Sequence, residues 1–273
     1  MSRPSTRPPQ WLMCILMLCL SALLVAWLAH PAGPLTIRAM PEVPTPTAAP
    51  TPAPAPSPTP EPAPAPDYSL PVPAGEAVAA EWFDDAVFIG DSRTDGLHLF
   101  SGVSAKAVFL ESTGLTVYEV MEGKEVIRLG REKVSVLDAL AQNTCGKVYI
   151  SLGVNELGYY DPDDFARVYG TLIDAVRECQ PNARLYIQSI IPVNTAKCKA
   201  NDVPYYVTNE GIASYNEALS ALCAEKEVWR VDVDRAFADD TGEVPADLSA
   251  DGVHFKKEGY ALWLDYLATH TGT

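Results

Sequence analysis

Two short stretches carry the residue types that acyl transfer needs. The first is Ala86-Val87-Phe88-Ile89-Gly90-Asp91-Ser92-Arg93. Four apolar residues ended by a glycine read as a buried strand, and the polar run after them reads as a turn into a helix. A serine at that point lies near a helix N-terminus, where backbone N–H groups are free and the helix dipole favours negative charge. The placement suits a nucleophile whose attack creates an oxyanion. The second stretch is Asp251-Gly252-Val253-His254. A carboxylate three residues before a histidine can reach its imidazole across a turn. It would fix the tautomer and leave the other ring nitrogen for a serine. The remaining histidines suit a base less well: His30 borders an apolar run, His98 follows Ser92 on the same helix and His270 is near the C-terminus. Each stretch alone has a plainer reading. Ser92 could be only a helix cap, Asp91 a turn residue, Asp251 a turn cap and His254 a hydrogen-bonded buried histidine.

The elements around these stretches decide whether they can meet. Strands are predicted at 86–89, 105–110, 147–153, 184–191 and 228–233. Helices are predicted at 117–121, 134–141, 163–179, 209–226 and 257–269, with a polar loop at 194–207. In 163–179, Phe165, Val168, Leu172, Ile173 and Val176 recur at helical spacing, and Pro181 follows. Strands alternating with helices predict a parallel sheet covered on both faces. Ligands then bind beyond the carboxyl ends of the strands. Ser92 follows the first strand, Gly114 the second and Asn155 the third, so all three are expected at one rim.

Together these blocks resemble the SGNH, or GDSL, hydrolase family over about residues 82–270. Gly90-Asp91-Ser92 fits its first block, Gly114 the glycine of its second, Gly153-Val154-Asn155-Glu156 its third and Asp251-Gly252-Val253-His254 its last. The resemblance implies a three-layer α/β/α sandwich with a five-stranded parallel sheet of flavodoxin-like type. It implies Ser92 as nucleophile, His254 as base and Asp251 as its partner. Ser92, Gly114 and Asn155 are then the oxyanion donors, with no metal and no organic cofactor. The chain has Glu156 where the family often has aspartate, and Arg93 where an apolar residue is common. Both are candidate substrate contacts. For Arg93 the alternative is an ion pair with Asp95 or another rim carboxylate, and that is preferred because surface pairs are common.

Composition narrows the setting. The net charge of −15 and the absence of a basic face argue against nucleic acid and anionic lipid as partners. Arg3 and Arg7 precede an uncharged apolar run from Trp11 to Ala29, long enough to cross a bilayer. Residues 1–10 are therefore read as a cytoplasmic terminus and 11–29 as a transmembrane anchor, with a cleaved signal as the alternative. Most of the 24 prolines fall between Pro41 and Pro73. Residues 30–75 read as a disordered Pro/Ala/Thr linker, and 76–273 as the hydrolase domain. Of six cysteines, Cys145, Cys179, Cys198 and Cys223 lie in that domain, and could form two disulfides or stay as buried thiols. The expected function is an extracytoplasmic serine esterase acting on small O-acyl groups, most plausibly O-acetyl esters of cell-wall or other glycans. The alternatives are an O-acyltransferase, a lysophospholipase-type lipid esterase and a non-catalytic glycan- or protein-binding module, since fold alone does not establish activity. Gly158-Tyr159-Tyr160 and Pro204-Tyr205-Tyr206 could stack on sugars or simply pack at the rim.

Overall fold

The computed structural model describes residues 66–272, which fall in one compact unit. The cytoplasmic, membrane-spanning and linker readings of residues 1–65 lie outside them. Among the described residues, no helix is long and apolar enough to cross a membrane.

Five strands form the central sheet: β1 (Ala86–Gly90), β2 (Val108–Glu111), β5 (Lys147–Ser151), β6 (Arg184–Gln188) and β7 (Trp229–Val231). Their order is β2-β1-β5-β6-β7 and every pairing is parallel. This is the flavodoxin-like order, in which the chain reverses its direction of winding between β1 and β5. That reversal opens a crevice at the carboxyl ends of β1 and β5, the strands that lead into Ser92 and Asn155.

Strand alternation divides the core in two. Val87, Ile89, Val148, Ile150, Leu185 and Ile187 turn to one face. There they meet α2 (Val117–Met121), α3 (Val136–Ala141), α4 (Pro162–Cys179) and α6 (Asn209–Lys226). Phe88, Tyr149, Tyr186 and Val231 turn to the other face, against α1 (Ser92–Phe100), α7 (Asp234–Phe237) and α8 (Lys257–Thr269). On this second face an aromatic row crosses four strands in register. Phe109, Phe88, Tyr149 and Tyr186 stack with successive centroids 4.8, 4.9 and 4.5 Å apart. Such cross-strand pairs fix the register, because a slip of one residue would send every ring to the opposite face.

Helix starts follow local chemistry. Asp161 caps α4 through Asp164 N–H, and Pro162 takes the first helical position. Thr116 and Glu119 form a capping box on α2.

Several strands are shorter than their predicted ranges, and Asp234–Phe237 forms a helix that the sequence reading lacked; three further departures matter more. Residues 194–207 were expected to be a loop, but Thr195–Ala200 is helical (α5), capped by the Asn194 side chain. Its sequence lacks an apolar stripe, so periodicity gave no sign of it. Val134, expected to begin a helix, ends a small antiparallel hairpin of β3 (Ile127–Leu129) and β4 (Glu132–Val134). Helix α3 starts two residues later, behind the Ser135 cap. Finally, the linker was expected to run to residue 75, but the chain packs on the domain earlier. Val72 is buried and its N–H donates to Arg230 O at 2.8 Å, and Gly75 N–H donates to Thr269 O at 2.7 Å. The segment covers the outer edge of β7, which would otherwise expose unpaired backbone groups.

Candidate active site

Gly90 ends β1 against the neighbouring backbone. A Cβ there would lie 1.9 Å from Thr94 Oγ1 and 2.8 Å from Ser151 O, so no larger residue fits. Asp91 caps α1, its Oδ1 accepting from Arg93 N–H at 2.8 Å. Ser92 is thereby the first residue of α1, and its N–H has no intrahelical carbonyl to reach. The serine is half-buried, with Oγ 2.8 Å from His254 Nε2. On the other side of the ring, Nδ1 lies 2.8 Å from Asp251 Oδ2.

Asp251 is fixed in turn by its own turn. Its Oδ1 accepts from the N–H groups of Val253 (2.9 Å) and His254 (2.8 Å). Burial pushes its carboxyl up, but those two N–H groups and the imidazole outweigh it and hold the group below its ordinary range. It is therefore anionic at neutral pH. Gly252 is required here: its φ is +110°, and a Cβ would stand 2.5 Å from Cys198 N. Its N–H donates to Ser249 Oγ (2.9 Å), and its carbonyl accepts from Asn194 N–H (2.9 Å). Helix α5, missed in the sequence, is thus what the Asp251–His254 turn rests on.

Asn155 sits just past β5. Its Nδ2 donates to Asp91 Oδ2 (3.1 Å) and to Leu115 O (3.2 Å), which fixes the amide beside the serine turn. Gly114 lies on the exposed turn after β2, closed by Leu115 N–H to Ser112 O at 3.0 Å. The structure thus brings Ser92, His254 and Asp251 into one hydrogen-bonded line and ties Asn155 to Asp91. It places Gly114 on the turn that leads to Leu115. Asp91 is buried and links the serine turn to Asn155. Burial raises its carboxyl, against the opposing pull of the Arg93 guanidinium.

Two expectations are corrected. Arg93 neither faces substrate nor pairs with Asp95. It is 3 % exposed. Its Nε donates to Val253 O (2.9 Å) and its terminal nitrogens to Ile191 O (2.6 Å) and Pro192 O (3.5 Å). The guanidinium also lies 5.2 Å from the centre of the Phe255 ring. It therefore ties the loop after β6 to the residue just before His254. Arg93→Ala is expected to lower stability by about 3–5 kcal/mol, because it strands buried carbonyls and Asp91. It should slow neutral and anionic esters by the same factor. Urea midpoints and parallel assays of the two ester types check this; selective loss of the anionic ester would restore a substrate role.

Glu156 is likewise inside, 0 % exposed. Its Oε1 accepts from Val117 N–H at 2.7 Å, satisfying the N-terminus of α2, while Oε2 is buried without a partner. Burial raises its carboxyl to about 8, so it is largely neutral at pH 7. The linkage follows from the sign of this shift. Below the ordinary value of 4.5 both folded and unfolded chains hold the proton. Between 4.5 and about 8 only the folded chain does, so stability falls as pH rises through that window. Glu156→Gln keeps the acceptor and removes the titration. Relative to wild type it should gain on the order of 4 kcal/mol between pH 4 and pH 8. Denaturation at those two pH values tests this, and parallel stability curves would contradict it.

The four cysteines of the described region are free thiols. His98 is exposed and pairs with Glu111 at 3.2 Å, away from the serine line. Among the described residues, no group of three or more His, Cys, Asp or Glu side chains is placed to hold a metal ion.

A strand-to-helix serine, an imidazole and an anionic carboxylate thus meet at the switch point of a parallel sheet. The family profile of the GDSL-like lipase/acylhydrolases matches residues 88–262, and the chain belongs to that family. Solved structures share the fold. A Streptococcus pneumonia protein described as a platelet activating factor is 21% identical with a TM-score of 0.56, over 67% of this chain and 81% of that one. A GDSL-like lipase from Bacteroides thetaiotaomicron is 16% identical with a TM-score of 0.50, over 74% and 91%. The isoamyl acetate-hydrolyzing esterase of Saccharomyces cerevisiae is 38% identical over 63 residues. That stretch is 23% of this chain and spans about a quarter (26%) of the yeast protein.

Proposed function

We propose that the protein is a serine esterase that removes small O-acyl groups, acetyl esters of glycans first among them, outside the cytoplasm. The observation that carries the chemistry is the line Ser92 Oγ, His254 and Asp251, with both gaps at 2.8 Å. In this reading Ser92 Oγ attacks the ester carbonyl and its proton passes to His254 Nε2. Asp251 stabilises the imidazolium through Nδ1. The oxyanion is received by the N–H groups of Ser92 and Gly114 and by Asn155, whose second amide hydrogen leaves the Leu115 carbonyl. His254 then protonates the departing alcohol, leaving the acyl group on Oγ. A water deprotonated by His254 releases the acid and regenerates the serine.

One observation supports a short acyl group. The name of the yeast relative describes a protein that acts on an acetate ester. The location rests on residues 11–29, which this reading takes as an uncleaved membrane anchor. One experiment addresses both parts. The full chain is expressed, alkali-washed membranes are collected, and release of acetate, butyrate and octanoate from p-nitrophenyl esters is measured beside Ser92→Ala. Membrane-bound activity with acetate fastest, lost in the variant, is expected. Octanoate turning over faster, or activity only in the soluble fraction, would count against acyl size or anchoring respectively.

A further inference from the structure

Five tyrosines gather on loops and a helix start that lead away from the candidate site. Tyr118 lies in the first turn of α2, four residues after Gly114, and its ring stacks on Tyr160 with centroids 3.6 Å apart. The Tyr159 and Tyr206 hydroxyls meet at 2.9 Å with their rings edge to face, and Tyr205 lies edge-on to Tyr206 at 5.5 Å. Core tyrosines such as Tyr149, Tyr169 and Tyr186 are fully buried, whereas Tyr159 is 68 %, Tyr160 40 % and Tyr205 91 % exposed.

The cluster is held in place. Gly158 lies flat on the Tyr206 ring, where a Cβ would come within 2.4 Å of Cγ. The Tyr215 hydroxyl bridges the carbonyls of Glu156 (3.1 Å) and Tyr160 (2.8 Å). The second loop joins the catalytic turn, Asn201 Nδ2 donating to Asp251 O at 3.2 Å. Tyr159 follows Asn155 by four residues, so the two Cα atoms lie within about 14 Å of each other. Exposed hydrophobic side chains that are clustered, unlike ones scattered singly, are a feature of interaction sites and ligand-binding grooves. Tyrosine suits a ligand with an apolar face and a hydroxylated edge, since it offers a ring and a polar tip at small entropic cost. The neighbouring charges are of both signs but acidic in balance: Asp161 follows Tyr160, Asp202 precedes Tyr205 by three, and Tyr118 lies near Asp164 and Arg167, which pair with each other at 2.6 Å. An anionic ligand is therefore disfavoured.

We infer that this tyrosine cluster is a sugar-binding subsite for a neutral, β-linked oligosaccharide, whose equatorial substituents leave a C–H face to lie on the rings. The inference deepens the esterase reading, because it supplies the group that would carry the acyl ester to Ser92. It is tested apart from turnover. The full chain is titrated calorimetrically with xylohexaose, cellohexaose and chitohexaose, with maltohexaose as the α-linked control. None of them bears an ester, so the outcome does not depend on whether Ser92 is catalytic. Saturable binding of at least one β-linked hexasaccharide is expected, weakened tenfold or more in the Tyr159→Ala/Tyr205→Ala double variant. Tyr159→Phe, which keeps the ring, should retain most of the affinity. Both replaced side chains are exposed, so the thermal midpoint should hold. No binding to any β-linked probe, or binding that survives in the double variant, would overturn the subsite and leave a protein partner as the occupant to seek.

Discussion

Ser92→Ala is expected to lower kcat toward p-nitrophenyl acetate by about 10⁴-fold or more. Loss of the nucleophile in a serine–histidine–aspartate arrangement costs this much because the remaining groups still bind and polarise the ester but form no acyl-enzyme. Among the described residues the Ser92 hydroxyl bonds to His254 Nε2 alone, and the side chain is half-buried. Removing it should therefore leave the thermal midpoint nearly unchanged. Substrate binding should change little, so the loss falls on kcat and not on KM. Steady-state kinetics of the two proteins check the split. Residual activity within tenfold of wild type would assign the chemistry to another residue.

Asp251→Asn is expected to cost about 10³-fold or more, for a reason specific to this turn. Asp251 Oδ1 is occupied by two backbone N–H groups, so an asparagine would keep its oxygen there. Its NH₂ would then face His254 Nδ1, now 2.8 Å from Oδ2. The imidazole would be driven to the tautomer with its proton on Nε2, the nitrogen that must take the proton of Ser92. Asp251→Ala removes the support without imposing the wrong tautomer, and should be the less damaging of the two. Measuring both separates tautomer control from charge. Equal rates for alanine, asparagine and wild type would show that the carboxylate does nothing for the histidine.

The parts of this account that were legible in the sequence are those set by local pattern. The run from Ala86 to Gly90 reads as a strand because it is apolar on both faces and stops at glycine. Helices Asn209–Lys226 and Lys257–Thr269 lie where the apolar spacing predicts them. The Ser92, Asn155 and Asp251-to-His254 blocks converge because strand ends share one edge of a parallel sheet. The missed features depend on contacts between distant segments. A charge in the first turn of a helix reads as a surface residue, but Arg93 is buried because carbonyls at 191, 192 and 253 close around it. Glu156 reads as a rim carboxylate, but its oxygen satisfies the start of α2, 39 residues earlier in the chain. The tyrosine pairs at 159–160 and 205–206 are visible as letters, but their hydroxyl contact is not. No spacing rule reports a meeting of loops.

The most direct measurement of the central claim is the site of covalent trapping. The full chain is treated with an alkyl fluorophosphonate, digested, and mapped by mass spectrometry. One adduct is expected, on Ser92, formed slowly or not at all in His254→Ala because the hydroxyl then lacks its base. An adduct on any other serine, or equal labelling of Ser92 in the two proteins, would contradict it.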